Sequence, residues 1–370
     1  MPDKKSHIPW AKPDFWGNEI QYVSEALAST WISGGAYLDK LEKQFSETFQ
    51  KKYALAVSNG TTAIHLAYLG LGLKPGDEII VPGFAFMAAA NIALHMGLKP
   101  VFAEVDKDTW CLSARELPKY ISSKTKAIVP IHTYGNVCEM DAIMKVADAH
   151  KIPVIEDCAE SLFSKYKGKY SGTFGKINTF SFQATKTITT GEGGLVVTDS
   201  DELNEKMMLY RSHGMRRKDK FYWHELPGHN FRLTNMQAAL GVAQLEKIDF
   251  ILSERKRVYE EYKKHIANQE DVVLQKIEKD VDPVIWAVAL KLNSKTFPQG
   301  RDKVIEQLRE TGIETRPGFY ASSLLKIYQQ HSLPVCEDIS KNVISLPSFP
   351  SLKNDDIVFI CEQLLKLKNR

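Results

Sequence analysis

The sequence predicts an α/β protein: a mainly parallel mixed sheet lying between helices, followed by a smaller α+β unit. Two observations carry this. From about residue 52 to residue 198, short β-rich runs alternate with helical segments, the pattern of a sheet covered on both faces. Beyond residue 198 the chain turns helical, and its last hundred or so residues mix one β-rich run with further helices. The expected division is a large domain over 1–245 and a small C-terminal domain over 246–370.

Taken in order, "YALAVS" (53–58) reads as a strand and "TTAIHLAYLGLG" (61–72) as a helix ended by glycine. "DEIIVP" (77–82) is a strand, and "AFMAAANIALHMG" (85–97) a helix stopped by Gly97. "KPVFAEV", "KAIVPIH" and "IPVIED" read as strands. Between the last two, "EMDAIMKVADAH" sets Met140, Ile143, Met144 and Ala147 on one helical face. "NTFSF" and "GLVVT" are strands flanking a polar turn. Helices follow at 200–212 and 234–268, with a break near Ile248. "VIWAVALKL" (284–292) is β-rich, and helices close the chain near 301–312, 321–330 and 355–368. In sheets of this kind ligands collect at the carboxyl ends of the strands.

Composition narrows the class. With 44% hydrophobic and 25% charged residues the chain is an ordinary soluble globular one. The 48 basic and 45 acidic residues leave +3, which argues against a nucleic-acid binder while allowing a local basic patch. Five scattered cysteines without CxxC spacing argue against disulfides and a zinc site, and so for a reducing compartment. The start "MPDKKSHIPW" has no apolar core and no run approaches 18 apolar residues. The expected location is the cytoplasm, with no membrane partner.

Three motifs carry chemistry. "SNGTTAIHLA" follows a strand and opens a helix, so the amides of Gly60, Thr61 and Thr62 would face an anion at the helix N-terminus. It is neither a Walker loop nor a dinucleotide fingerprint, and alone it is better read as a plain N-cap. "PVIEDCAES" ends a strand with acids, where Asp157 alone would be a cap. "SFQATKTITTGEGG" puts Lys186 at a strand edge, and a lone loop lysine is normally solvated. Together, in this order and each at a strand end, they supply what pyridoxal phosphate (PLP) requires. Phosphate is anchored, the pyridine nitrogen is kept protonated, and the aldehyde is held by a lysine whose pKa is lowered.

On these residues, and on "STWISGGAYLDKLEKQF", "VPGFAFMAAANIALHMGLKPVFAEVD", "PIHTYGN", "SGTFGKINTFSF", "GHNFRLTNMQAALGVAQL" and "TRPGFY", the chain resembles the DegT/DnrJ/EryC1/StrS sugar aminotransferases. These are fold-type I PLP-dependent transferases, and the likeness spans nearly the whole chain. It implies that Lys186 carries the cofactor as a Schiff base and is the catalytic residue, with a pyridoxamine phosphate form between the two half-reactions. Asp157 would pair with the pyridine nitrogen, Glu160 would lie near the ring hydroxyl and Phe86 would stack on the ring. Gly60, Thr61 and Ser181 would hold the phosphate. Asn230 would reach the phosphate of the neighbouring subunit's cofactor, implying a homodimer with shared sites. "TKTITTGEGG" and "TRPGFY" look most like the branch that aminates GDP-linked 4-keto-6-deoxy sugars for O-antigen-type polysaccharides; dTDP- or UDP-linked 3-keto sugars are the alternative. Gln183 and Ala184 depart from the family's usual residues, which bears on the substrate rather than the chemistry.

The amino donor implied is L-glutamate. The nucleotide diphosphate needs cations, for which Arg316, Arg232 and the basic run 211–220 are candidates. Trp31 and Tyr320 are candidates for the sugar pocket, with packing as the alternative. His132 and Tyr134, at another strand end, are weaker candidates. A desulfurase would need a mobile cysteine opposite the cofactor, whereas Cys158 adjoins the buried aspartate. A PLP-binding regulator would need a DNA-binding module, and none is appended.

Overall fold

The computed structural model describes residues 7–216, 220, 222–328 and 331–369. Two helices with weak sequence signals come first, α1 (Glu19–Ala28) and α2 (Ala36–Thr48). In α1 only Glu19 and Ala26 are buried while Ile20 and Leu27 are exposed, so its apolar period is blurred. The large unit then runs β1 (Tyr53–Val57), α3 (Gly60–Leu71), β2 (Glu78–Pro82), α4 (Ala88–His95), β3 (Lys99–Ala103), β4 (Thr125–Ile128), α5 (Met140–His150) and β5 (Ile155–Asp157). A small hairpin, β6 (Lys165–Tyr166) and β7 (Lys169–Tyr170), precedes β8 (Ile177–Ser181) and β9 (Gly194–Thr198).

The strands β3-β2-β4 form a parallel sheet, and β1-β9-β8-β5 a mixed one. Parallel bridges Ile128↔Val154 and Ile131↔Asp157 join them into a continuous surface. β9 runs antiparallel to both its neighbours, so the sheet is mainly parallel, as expected. Every residue of β8 and β9 is buried, the polar Asn178, Thr179 and Ser181 of β8 included, as befits strands covered on both faces. The register pairs Gly194 with both Val57 and Ser181. The end of β1, the end of β8 and the start of β9 thus meet at one edge of the sheet, beside Asp157 at the end of β5.

α6 (Asp201–Arg211), α7 (Asn235–Glu246) and α8 (Ile248–Ile266) follow, with the expected break at Lys247. The C-terminal unit contains β10 (Val272–Leu274), β11 (Val281–Asp282), β12 (Ala289–Leu292), α9 (Arg301–Glu310), β13 (Arg316–Pro317), α10 (Pro334–Asn342), β14 (Val343–Ser345) and α11 (Asn354–Leu365). Its antiparallel sheet has the order β10-β12-β14-β13, while β11 pairs with β6. A separate apolar core lies under it, and Ile8 from the N-terminal segment belongs to that core.

Three expectations are corrected. No helix covers 321–330 among the described residues; only a short 3₁₀ turn, Ser322–Leu324, forms there. Ala321 N–H donates to Ser340 Oγ (2.9 Å) and Ser322 N–H to the Gly83 carbonyl (2.8 Å), so tertiary partners replace helical ones. The helix lies later, at α10, opened by Pro334 in its first turn. The helix expected over 85–97 starts only at Ala88, leaving Ala85 to Met87 as a turn. The β-rich run 284–292 is strand only in β12, because Trp286 N–H bonds instead to the Tyr134 carbonyl at 3.0 Å.

Candidate active site

α3 begins directly above the end of β8. Asn59 caps it: the Thr62 amide donates to Asn59 Oδ1 (2.8 Å), and the Asn59 amide donates to Thr62 Oγ1 (3.1 Å). This corrects the expectation of three amides facing an anion, since that of Thr62 is engaged by the cap. Gly60 and Thr61 remain at the positive end of α3, where no intrahelical acceptor exists. A Cβ on Gly60 would come within 2.7 Å of Ser181 Cβ and 2.9 Å of its Oγ. Only glycine lets β8 and α3 approach this closely, and the approach brings the Ser181 hydroxyl to the two amides.

The acidic and basic groups come from neighbouring loops. Asp157, the last residue of β5, is buried and accepts from the Ala159 amide at 3.0 Å. Burial raises its pKa; the Ala159 amide, Lys186 and His132 oppose the rise. Glu160 is buried too, and burial lifts its pKa to about 7 against the opposing pull of Lys186. Its Oε2 accepts the Tyr134 amide at 2.8 Å, presented by a left-handed backbone at Tyr134 (φ 61°).

Lys186 hangs from the loop between β8 and β9, its amide bonded to the Gln183 carbonyl at 2.8 Å. Its Nζ lies 3.9 Å from Glu160 Oε1 and 3.7 Å from the centre of the Trp286 ring. Burial lowers its pKa, Glu160 and Asp157 raise it, and Arg255 lowers it further. This lysine is therefore desolvated between two carboxyls and an aromatic face, unlike a surface charge. Phe86, on the turn before α4, is 62% exposed, borders the same space and meets Phe319 in an edge-on contact at 6.2 Å.

One cavity of about 1090 Å³ gathers these groups. Of the residues expected at the site, Gly60, Thr61, Phe86, Asp157, Glu160, Ser181, Lys186, Arg316 and Tyr320 line it. Trp31, Asn230 and Arg232 do not. Trp31 is 72% exposed on the outer surface, and Asn230 and Arg232 lie in a segment whose backbone bridges Ser212 and Val57. Of the basic run 211–220, Arg211 is tied to Glu42 (2.6 Å) and Arg216 to Glu225 (2.9 Å), while 217–219 lie outside the described residues. Tyr134 lines the cavity; His132 is buried behind it. His132 Nδ1 accepts the Cys138 amide, so its Nε2 donates to Glu156 Oε1 at 3.1 Å.

Sequence reasoning missed Trp286, Trp10, Phe319 and Arg255. Trp286 and Arg255 belong to an expected strand and an expected helix, and nothing local to either distinguishes it from a packing residue.

These residues fit PLP. A phosphate matches the Gly60–Thr61–Ser181 cradle, the Phe86 ring in the same cavity suits a planar ring, and the Lys186 amine stands between the Trp286 ring and the buried Glu160 carboxyl. Comparison with known proteins agrees. The sequence profile of the DegT/DnrJ/EryC1/StrS aminotransferase family matches residues 14–365. The GDP-perosamine synthase of Escherichia coli O157:H7 is 42% identical over 363 residues, covering 97% of this chain and 98% of that protein. The GDP-perosamine synthase of Vibrio cholerae is 37% identical over 359 residues, covering 96% and 97%. Among solved structures, Helicobacter pylori PseC, an aminotransferase involved in pseudoaminic acid biosynthesis, superposes with a TM-score of 0.92 at 30% identity, over 98% of this chain and 99% of that one. Spr1654 of Streptococcus pneumoniae, solved in its PLP form, gives a TM-score of 0.92 at 26% identity over 98% of each chain.

Proposed function

The chain belongs to the DegT/DnrJ/EryC1/StrS aminotransferase family and is a PLP-dependent sugar aminotransferase; from that premise we propose that it transfers an amino group from L-glutamate to a GDP-linked 4-keto-6-deoxy sugar. The observation that carries the reading is the desolvated Lys186 amine, 3.9 Å from buried Glu160 in the cavity that also holds Asp157 and the Gly60–Ser181 cradle. The GDP-sugar assignment draws on the two GDP-perosamine synthases, which match over nearly their full length.

When bound, PLP supplies an electron sink for the amino acid Cα carbanion. The chain's own residues do the rest. The amides of Gly60 and Thr61 and the Ser181 hydroxyl bind the phosphate. Asp157 keeps a proton on the ring nitrogen. Glu160, with a pKa near neutrality, shares a proton with the ring hydroxyl. Lys186 Nζ, its pKa lowered by burial, takes the proton from the donor Cα. Trp286 shields one side of this amine from water. Arg316 and Tyr320, at the cavity's outer wall, are the groups that would meet the diphosphate and the sugar.

We place the enzyme in the cytoplasm, in amino-sugar supply for an O-antigen-type polysaccharide. Five unpaired, buried cysteines support a reducing compartment, and no helix among the described residues is long and apolar enough to cross a membrane. The test is a half-reaction. With glutamate the PLP-loaded protein should release one equivalent of 2-oxoglutarate, and a GDP-linked 4-keto-6-deoxy sugar should then take up the nitrogen. Faster transfer to a UDP- or dTDP-linked sugar would overturn the GDP assignment. Turnover that survives Lys186→Ala would overturn the site.

A further inference from the structure

We propose that Arg255 is a positioning residue for Lys186, fixing from α8 both the lysine's loop and the Trp286 ring beside its amine, and setting a buried positive charge behind them. The proposal rests on the reading of Lys186 as the reacting amine.

Arg255 is 6% exposed, and its guanidinium holds two backbone carbonyls. Nη2 donates to the Lys186 carbonyl at 2.9 Å, and Nη1 to that of Trp286 at 3.1 Å. Trp286 in turn donates Nε1–H to the Thr185 carbonyl at 2.7 Å, and its ring lies under Lys186 Nζ. One side chain therefore locks both the loop that carries the amine and the aromatic platform the amine rests on. A rigid fork with fixed donor directions suits that task.

Its charge is the unexplained part. Among the described residues no carboxylate lies within ion-pair distance of Arg255, and its Nε has no hydrogen-bond partner. Asp14 acts on it only at longer range. Arg301, equally buried, pairs with Asp302 at 2.8 Å. An uncompensated buried cation is costly, and two carbonyls could be held by a neutral amide. Burial draws the Arg255 pKa down to about 10, which still leaves it charged near neutral pH.

The charge has a use beside Lys186. Glu160 and Asp157, on the β5 side, favour the ammonium form of the lysine. Burial and Arg255, on the α8 side, favour the neutral amine, the form able to accept a proton from carbon. Arg255 offsets the two carboxyls without touching the substrate cavity.

Two variants of the full chain separate charge from positioning. Arg255→Gln keeps donors and removes the charge; Arg255→Lys keeps the charge and loses the fork. The ionisation of Lys186 is read by its acetic anhydride reactivity against pH in cofactor-stripped protein, scored by peptide mass. It is read also by the pH midpoint of the visible absorbance of the loaded protein. Arg255→Gln should raise both midpoints by about one pH unit and shift the acid limb of the kcat profile with them. Arg255→Lys should leave the midpoints in place and lower kcat by roughly tenfold through misplacement. Unmoved midpoints in Arg255→Gln, with only lowered stability or activity, would overturn the electrostatic role. Should the glutamine variant fail to fold, unchanged kcat in Arg255→Lys would overturn the positioning role. Either result leaves the assignment of Lys186 standing, since that falls only with the survival of activity in Lys186→Ala.

Discussion

A methyl group on Gly60 would sit 2.7 Å from Ser181 Cβ, so Gly60→Ala must push α3 away from β8 and open the phosphate cradle. Overpacking of this kind costs about 1–3 kcal/mol. We expect roughly tenfold weaker PLP binding, measured by absorbance titration. Gly60→Ala/Ser181→Gly, which removes the obstructing Cβ, should fold as well as wild type while still lacking the hydroxyl. Glu160 gives a pH signature. Its folded pKa of about 7 lies above the ordinary 4.5, so the native state binds more protons than the unfolded state between those values. Its contribution to stability is therefore lost as pH rises from about 4.5 to 7 and is constant above that. In Glu160→Gln this fall should vanish, making the cofactor-free variant relatively more stable at pH 8 than at pH 4.5. Urea unfolding across that range checks it.

Between β5 and β8 the chain is held by one buried acid. Glu156 accepts the amides of Gly172 (2.8 Å), Phe174 (2.7 Å) and Gly175 (2.6 Å), together with His132 Nε2–H. Both carboxylate oxygens are used, so the loop leading into β8 is shaped by acceptors alone. Glu156→Gln turns one oxygen into a donor facing donors and should cost about 1–3 kcal/mol, measured by urea unfolding. Because β8 ends at Ser181, PLP affinity should fall with it. Long-range hydrogen bonds also set where elements begin and end. The run 284–292 has strand character throughout, but the Val284 amide is taken by Ser164 Oγ (2.8 Å) and that of Trp286 by Tyr134. Ala321 and Ser322 are likewise tied down by Ser340 and Gly83. Long-range partners of this sort leave no local periodicity to read.

Over the whole molecule, what stands outside the cavity matters as much as what lines it. Asn230 and Trp31 are exposed, and Ile20, Leu27 and Ile32 add apolar surface near Trp31 in sequence. We read this as the face of a homodimer in which Asn230 of the partner subunit completes each site. Light scattering should then give twice the chain mass. Mixed Lys186→Ala and Asn230→Ala chains should form hybrid dimers carrying one intact site, with about half the wild-type activity per hybrid. Mixtures as inactive as the parent variants would refute shared sites.

Sequence by itself determined the alternation of strand and helix, the lysine, the aspartate and the glycine-led turn, because each has a local signature: period, cap or strand end. It also determined the family, through runs of residues that no single fold element requires. Tertiary structure alone decided that Arg211 is paired with Glu42, and that Trp286 and Arg255 reach Lys186 from the C-terminal half. Those outcomes depend on which distant groups meet in low dielectric, where a charge must be paired, shifted or put to use. Such meetings are set by packing, and spacing along the chain does not encode them.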